Sequence, residues 1–109
     1  MAMVRVASYN FGFIDHTISE IVKFKECTEQ YEGQITGKYI SLFFLDKDGN
    51  LHNVRFDSNR KLENYIVIGK KSYNYHEMIG NLPKFRMRLE KEILKDAIEA
   101  LPWKTTLQK

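Results

Sequence analysis

KYISLFFLDKDGNLHNVRF, residues 38–56, decides the fold. Two runs rich in Ile, Leu, Phe and Val flank Asp46-Lys47-Asp48-Gly49-Asn50, and the Asp-Gly pair supplies the positive-φ residue that a tight hairpin needs. The stretch predicts two antiparallel strands. Residues 39–45 are apolar on both faces, so the first strand is expected at the centre of a sheet, covered on both sides. On the return strand, Val54 and Phe56 point one way while Asn53 and Arg55 point the other. The same loop invites a calcium reading. Asp46, Asp48, Asn50 and Asp57 stand where an EF-hand loop places its first, third, fifth and twelfth residues, but Leu51 holds the sixth position, where Gly is needed. Both flanks read as strands, and the hairpin reading wins.

Upstream, residues 3–11 alternate Val4 and Val6 with Arg5, Ala7 and Tyr9 and predict a first strand. Residues 12–32 support two readings. Thr17 and Glu20 have capping-box spacing, which predicts a short helical turn near 16–20 followed by a strand from about 21 to 31. A long strand is the alternative, because residues 21–31 alternate and carry Val, Phe, Thr and Tyr. Downstream, residues 57–61 read as a polar turn and residues 64–69 as a short buried strand. Residues 71–78 read as an alternating strand with Tyr73 and Tyr75 on one face.

The C-terminal third predicts one helix, from 83 to 101. Asn81 is a suitable cap, and Pro83 suits the first turn, where its missing N–H costs nothing. Phe85, Leu89, Ile93, Leu94, Ala97, Ile98 and Leu101 recur at helical spacing, and Pro102 stops the helix at the preceding residue. This stripe needs an apolar partner, which the strands supply. The expected architecture is α+β: an antiparallel sheet of five or six strands, open or closed into a small barrel, packed against one C-terminal amphipathic helix.

The chain of 109 residues is expected to be a single domain, with Met1 and Ala2 as additions from cloning and 103–109 as a tail. A chain of this length buries roughly 65% of its unfolded surface, enough for a core. Cys27 is the single cysteine, which excludes an intramolecular disulfide and fits a reducing, cytoplasmic setting. No apolar run approaches the ~20 residues of a membrane span, so no membrane partner is expected. The Lys, Ile, Asn, Phe and Tyr content matches an AT-rich genome, such as that of a bacterium or its phage.

Motifs for chemistry fail on inspection. Gly69-Lys70-Lys71-Ser72 resembles the tail of a phosphate-binding loop, but Asn64 stands where the earlier Gly belongs. His16, His52 and His76 have no metal-ligand spacing and are expected to be unrelated surface residues. No catalytic motif and no cofactor fingerprint occurs, so the chain reads as non-enzymatic, without cofactor or metal.

The charge, by contrast, is concentrated. Residues 70–88 carry five cations against Glu77 alone, a net +4, while the rest of the chain sums to −1. Lys84, Arg86 and Arg88 sit where the predicted helix begins, the end at which the peptide dipoles disfavour cations. An external anion resolves the conflict. The expected site has Arg86 and Arg88 on phosphate, Lys70, Lys71 and Lys84 adding field, and Tyr73, Tyr75 and His76 offering stacking surfaces. Its partner is expected to be nucleic acid, above all single-stranded, or a nucleotide. A protein–protein or inhibitor module docking on an acidic protein surface is the alternative, and a β-rich homo-oligomer joined through sheet edges or exposed aromatics is a third.

Overall fold

The computed structural model describes residues 1–10, 12–59 and 63–101. Seven strands and two helices follow in the order β1 (Ala2–Ser8), β2 (Gly12–Thr17), β3 (Glu20–Tyr31), β4 (Gln34–Leu45), β5 (Leu51–Asp57), β6 (Tyr65–Ile68), β7 (Lys71–Tyr73), α1 (Tyr75–Ile79) and α2 (Leu82–Ala100). The class is α+β, as the sequence indicates, but the strands form two antiparallel sheets. One is ordered β2-β1-β6-β7 and the other β3-β4-β5. A single sheet of five or six strands is therefore incorrect, and neither sheet closes into a barrel.

The division happens across one residue step. The Ile18 N–H donates to the Ala2 carbonyl at 3.0 Å, in the first sheet, while the Ser19 N–H donates to the Leu45 carbonyl at 2.8 Å, in the second. Residues 16–20 thus carry the chain between sheets, and the expected helical turn is absent. Thr17 ends β2 and Glu20 begins β3, so their capping-box spacing is coincidental.

The hairpins follow local chemistry. Glu32 (φ 50°) and Gly33 (φ 78°) join β3 to β4 as a two-residue turn with both φ values positive, the geometry that matches strand twist. Between β4 and β5, Gly49 takes φ 83°, and Asp46 Oδ1 accepts from the N–H groups of Asp48 and Asn50 at 2.8 and 2.9 Å. The predicted hairpin at DKDGN is thus present. Asp46 Oδ2 lies 2.8 Å from His52 Nε2, and these contacts hold the Asp46 carboxyl well below the usual carboxylate range.

One core joins both sheets and both helices. Val4 and Ile66 meet Phe24, Ile40, Leu42, Phe44 and Phe56 from the facing sheet, with Met78, Phe85 and Leu89 from the helices. The buried Asn64 ties the layers together. Its Oδ1 accepts from the Ala7 N–H of β1 at 3.0 Å, and its Nδ2 donates to the Arg55 carbonyl of β5 at 2.7 Å. Among the described residues no second layer covers the other face of β4, contrary to the expectation of cover on both sides. Side chains on its own sheet shield it instead: Arg55 lies 3.8 Å over the Tyr39 ring and Lys23 5.7 Å over Phe43.

β3 and β4 run on past the end of β5. Past the Cys27–Tyr39 pair, Lys38 still bonds to Ser58 and Glu29 to Arg55; from Gln30 to Gly37 the described residues form a two-stranded arm in which β3 and β4 pair with each other, with Tyr31 and Ile35 exposed.

Candidate anion-binding face

The segment with the excess charge folds as strand, short helix and long helix. Residues 71–78 were expected to be one strand, but β7 ends at Tyr73 and α1 begins at Tyr75. Asn74 terminates the strand by capping: its side chain accepts from the Glu77 N–H at 3.1 Å, and Glu77 Oε1 accepts from the Asn74 N–H at 3.1 Å. Asn81 caps α2 by accepting from the Lys84 N–H at 3.2 Å, with Pro83 beside it, as the sequence suggests. Pro102 and the 103–109 tail lie outside the described residues, as do Arg60 and Lys61 of the expected polar turn.

This fold changes the roles available to the aromatic side chains. Tyr73 and Tyr75 are buried, 4% and 7% exposed, and neither presents a ring face on which a base can stack. Tyr73 packs edge-on against Phe85 with centroids 5.0 Å apart, and its buried hydroxyl has no hydrogen-bond partner among the described residues. Tyr75 donates to Glu26 Oε2 at 2.8 Å; burial first, and then this bond, push its phenol up to about 12. His76 is exposed on α1, its Nε2 donating to the Ser58 carbonyl at 2.8 Å and its ring edge-on to Tyr75.

The cations also separate. Positions two apart on a helix project about 200° from each other, so Arg86 and Arg88 cannot close on one phosphate. Arg86 is 3.5 Å from Glu90 and lines a groove of about 290 Å³ with Phe24, Lys25, Glu26, Leu82 and Pro83. Arg88 faces the other way, its guanidinium carbon 5.1 Å from the centre of the Tyr73 ring, which Lys71 Nζ approaches at 5.3 Å. Lys84 and Arg88 line a second groove of about 240 Å³ with Glu77, Asn81 and Phe85. Lys70 is exposed in the turn between β6 and β7.

Two cations outside the 70–88 segment complete the pattern. Lys84, Arg88, Lys91 and Lys95 stand at i, i+4, i+7 and i+11, all exposed, and so form one ridge along α2. Its ends lie about 16 Å apart at 1.5 Å per residue. Among the described residues none of the four makes an ion pair, whereas Glu92 and Asp96 are engaged with the amino terminus. The helical spacing was visible in the sequence. It does not show in a sum of charge along the chain, because the grouping depends on helix phase.

The histidines are less scattered than expected. His16 of β2 and His52 of β5 lie with ring centroids 4.4 Å apart, and Phe44 stacks on His52 at 5.1 Å. Among the described residues no group of three or more His, Cys, Asp or Glu is placed to hold a metal. None of the helices is long and apolar enough to cross a membrane. No protein-family model matches the chain, and no curated protein or solved structure matches it either.

Proposed function

We propose that this chain is a small non-enzymatic binding module that takes an extended polyanion, most simply the phosphate backbone of nucleic acid, along α2. The ridge of Lys84, Arg88, Lys91 and Lys95 carries the reading, with Lys71 beside it at the Tyr73 ring. Four cations on one stripe, none in an ion pair among the described residues, raise the local potential, and they are longer in reach than the phosphates of a single nucleotide. The duplex carries a phosphate every 3.4 Å per strand, so a ridge of about 16 Å spans several of them. Burial of Tyr73 and Tyr75 argues against base stacking and favours contact with the backbone, which is insensitive to sequence.

Fluorescence anisotropy of a labelled duplex over a salt series tests this. Four phosphate contacts give a slope of log affinity on log salt of roughly −3 to −4. Replacing Lys84, Arg88 and Lys91 by Glu together removes the binding and leaves the melting temperature nearly unchanged. Failure of the wild type to bind duplex or single strand transfers the ridge to an acidic protein surface.

A further inference from the structure

The β3-β4-β5 sheet turns one face to the core, and among the described residues no layer covers the other. Alternation along β4 sends Ile40, Leu42 and Phe44 inward and Tyr39, Ser41 and Phe43 outward. The register fixes their neighbours. Phe43 lies between Lys23 of β3 and Asn53 of β5, and Ser41 between Lys25 and Arg55. Lys23, Lys25 and Asn53 are exposed, while Phe43 and Tyr39 are half-buried. The uncovered face is therefore aromatic along its central strand and cationic along its β3 edge.

Two flat groups stand on this face. One is the Phe43 ring, over which the flexible Lys23 side chain reaches with its Nζ at 5.7 Å. The other is the Arg55 guanidinium, laid 3.8 Å over the Tyr39 ring and held there by Glu29 and Asp57, each at 2.8 Å. Rings and guanidinium planes are both surfaces on which a base stacks. Phe43 and Tyr39 are four residues apart on β4, about 13 Å along the strand. Bases in a stacked strand follow one another at about 3.4 Å, so bases laid on both groups are splayed apart, as a single strand permits and a duplex does not. Lys23 and Lys25 make no ion pair among the described residues, whereas Glu29 and Asp57, the acids of this face, are engaged by Arg55.

The flat groups call for a flat partner and the ammonium groups for an anionic one, and a strand of nucleotides supplies both. From this arrangement we infer that single-stranded nucleic acid binds across the outer face of the β3-β4-β5 sheet, with one base on Phe43, another on the Arg55–Tyr39 stack, and phosphates along Lys23 and Lys25. The site is separate from the ridge on α2 and independent of that reading. The ridge meets backbone phosphates and needs no base, whereas this face needs bases.

Anisotropy titrations of short labelled probes test the inference: an oligothymidylate, the same strand without bases, and a duplex. The oligothymidylate is expected to bind, and the abasic strand, with the same phosphates, to bind at least about tenfold more weakly. Phe43→Leu keeps an apolar side chain and, by circular dichroism, the fold. It weakens oligothymidylate binding about tenfold, the loss of one base stack, and leaves duplex binding unchanged. Lys23→Glu, at an exposed position, also weakens the single strand. The joint replacement of Lys84, Arg88 and Lys91 by Glu removes duplex binding and retains the difference between oligothymidylate and abasic strand, so that failure of either site leaves the other standing. Equal affinity for the two strands overturns the inference, as does a wild type that binds no oligothymidylate. So does a Phe43→Leu variant that binds as the wild type does, or that changes only the sedimenting mass, which would place a second copy on this face.

Discussion

Arg86 and Arg88 leave α2 on different sides: Arg86 reaches Glu90 at 3.5 Å, while Arg88 covers the Tyr73 ring at 5.1 Å. Only Arg88 belongs to the cationic ridge. Arg88→Ala is expected to weaken duplex binding several-fold and to flatten the salt dependence by about one phosphate contact. Arg86→Ala is expected to leave both unchanged. Anisotropy titrations of the two single variants at two salt concentrations separate these outcomes, and equal effects would refute the assignment.

Asn64 bonds to both sheets at once, through Ala7 on one side and Arg55 on the other. Asn64→Leu strands a buried N–H and a buried carbonyl, at a cost of about 1–3 kcal/mol for each group left unsatisfied. Urea unfolding should show a lower midpoint with an unchanged slope. A variant as stable as the wild type would show that water or backbone movement replaces both bonds.

The buried and the exposed apolar residues of α2 should respond differently to truncation. Leu89→Ala empties a fully buried site and should cost about 2–5 kcal/mol. Leu94→Ala changes an exposed side chain and should stay within about 0.5 kcal/mol of the wild type. Thermal unfolding of both variants at low concentration provides the comparison.

Tyr73 buries a hydroxyl that has no partner among the described residues. Removing it in Tyr73→Phe keeps the contact with Phe85 and deletes the desolvated group, so stability should be unchanged or rise by about 1 kcal/mol. A clear loss in chemical denaturation would mean that the hydroxyl is satisfied in solution.

Tyr75 makes the fold sensitive to alkali. The unfolded phenol loses its proton near pH 10, whereas in the fold burial and the Glu26 bond push it up to about 12. Between these values the folded state holds a proton that the unfolded state has released, so stability falls as pH rises. Tyr75→Phe should abolish this part of the decline. Melting temperatures of wild type and variant at pH 9 and above, as flagged by the ~10 reference value for tyrosine, give the comparison.

Local signals in the sequence were read well where the structure depends on neighbours in the chain. The turn at Asp46–Asn50, the strand at Tyr65–Ile68 and the capped start of α2 at Asn81 all rest on contacts within a few residues. The Asn74–Glu77 box was equally local, yet the alternation of Tyr73 and Tyr75 masked it. The sheet division is not legible, because it rests on pairings such as Arg5 with Tyr65 and on the step from Ser19 to Leu45, which no local pattern encodes. For the same reason the apolar residues of α2 read as one stripe. Only the position of the core separates Phe85 and Leu89 from Leu94 and Leu101. The charged segment is a run in the sequence, but its grouping into a ridge depends on helix phase and on Arg86 being turned away.

Past the ties of Lys38 to Ser58 and Glu29 to Arg55, the β3–β4 arm is held by its own rungs, and among the described residues neither a third strand nor a helix pairs with its Glu32–Gly33 tip. Its length is consequently free of the packing constraints that fix every other element. Rungs can be added or removed at the tip in matched pairs without disturbing Asn64, the core or α2, since loop closure changes little with such insertions. The arm is thus the place where this architecture can acquire new sequence at least cost, whether by natural drift or by grafting a foreign peptide onto the turn.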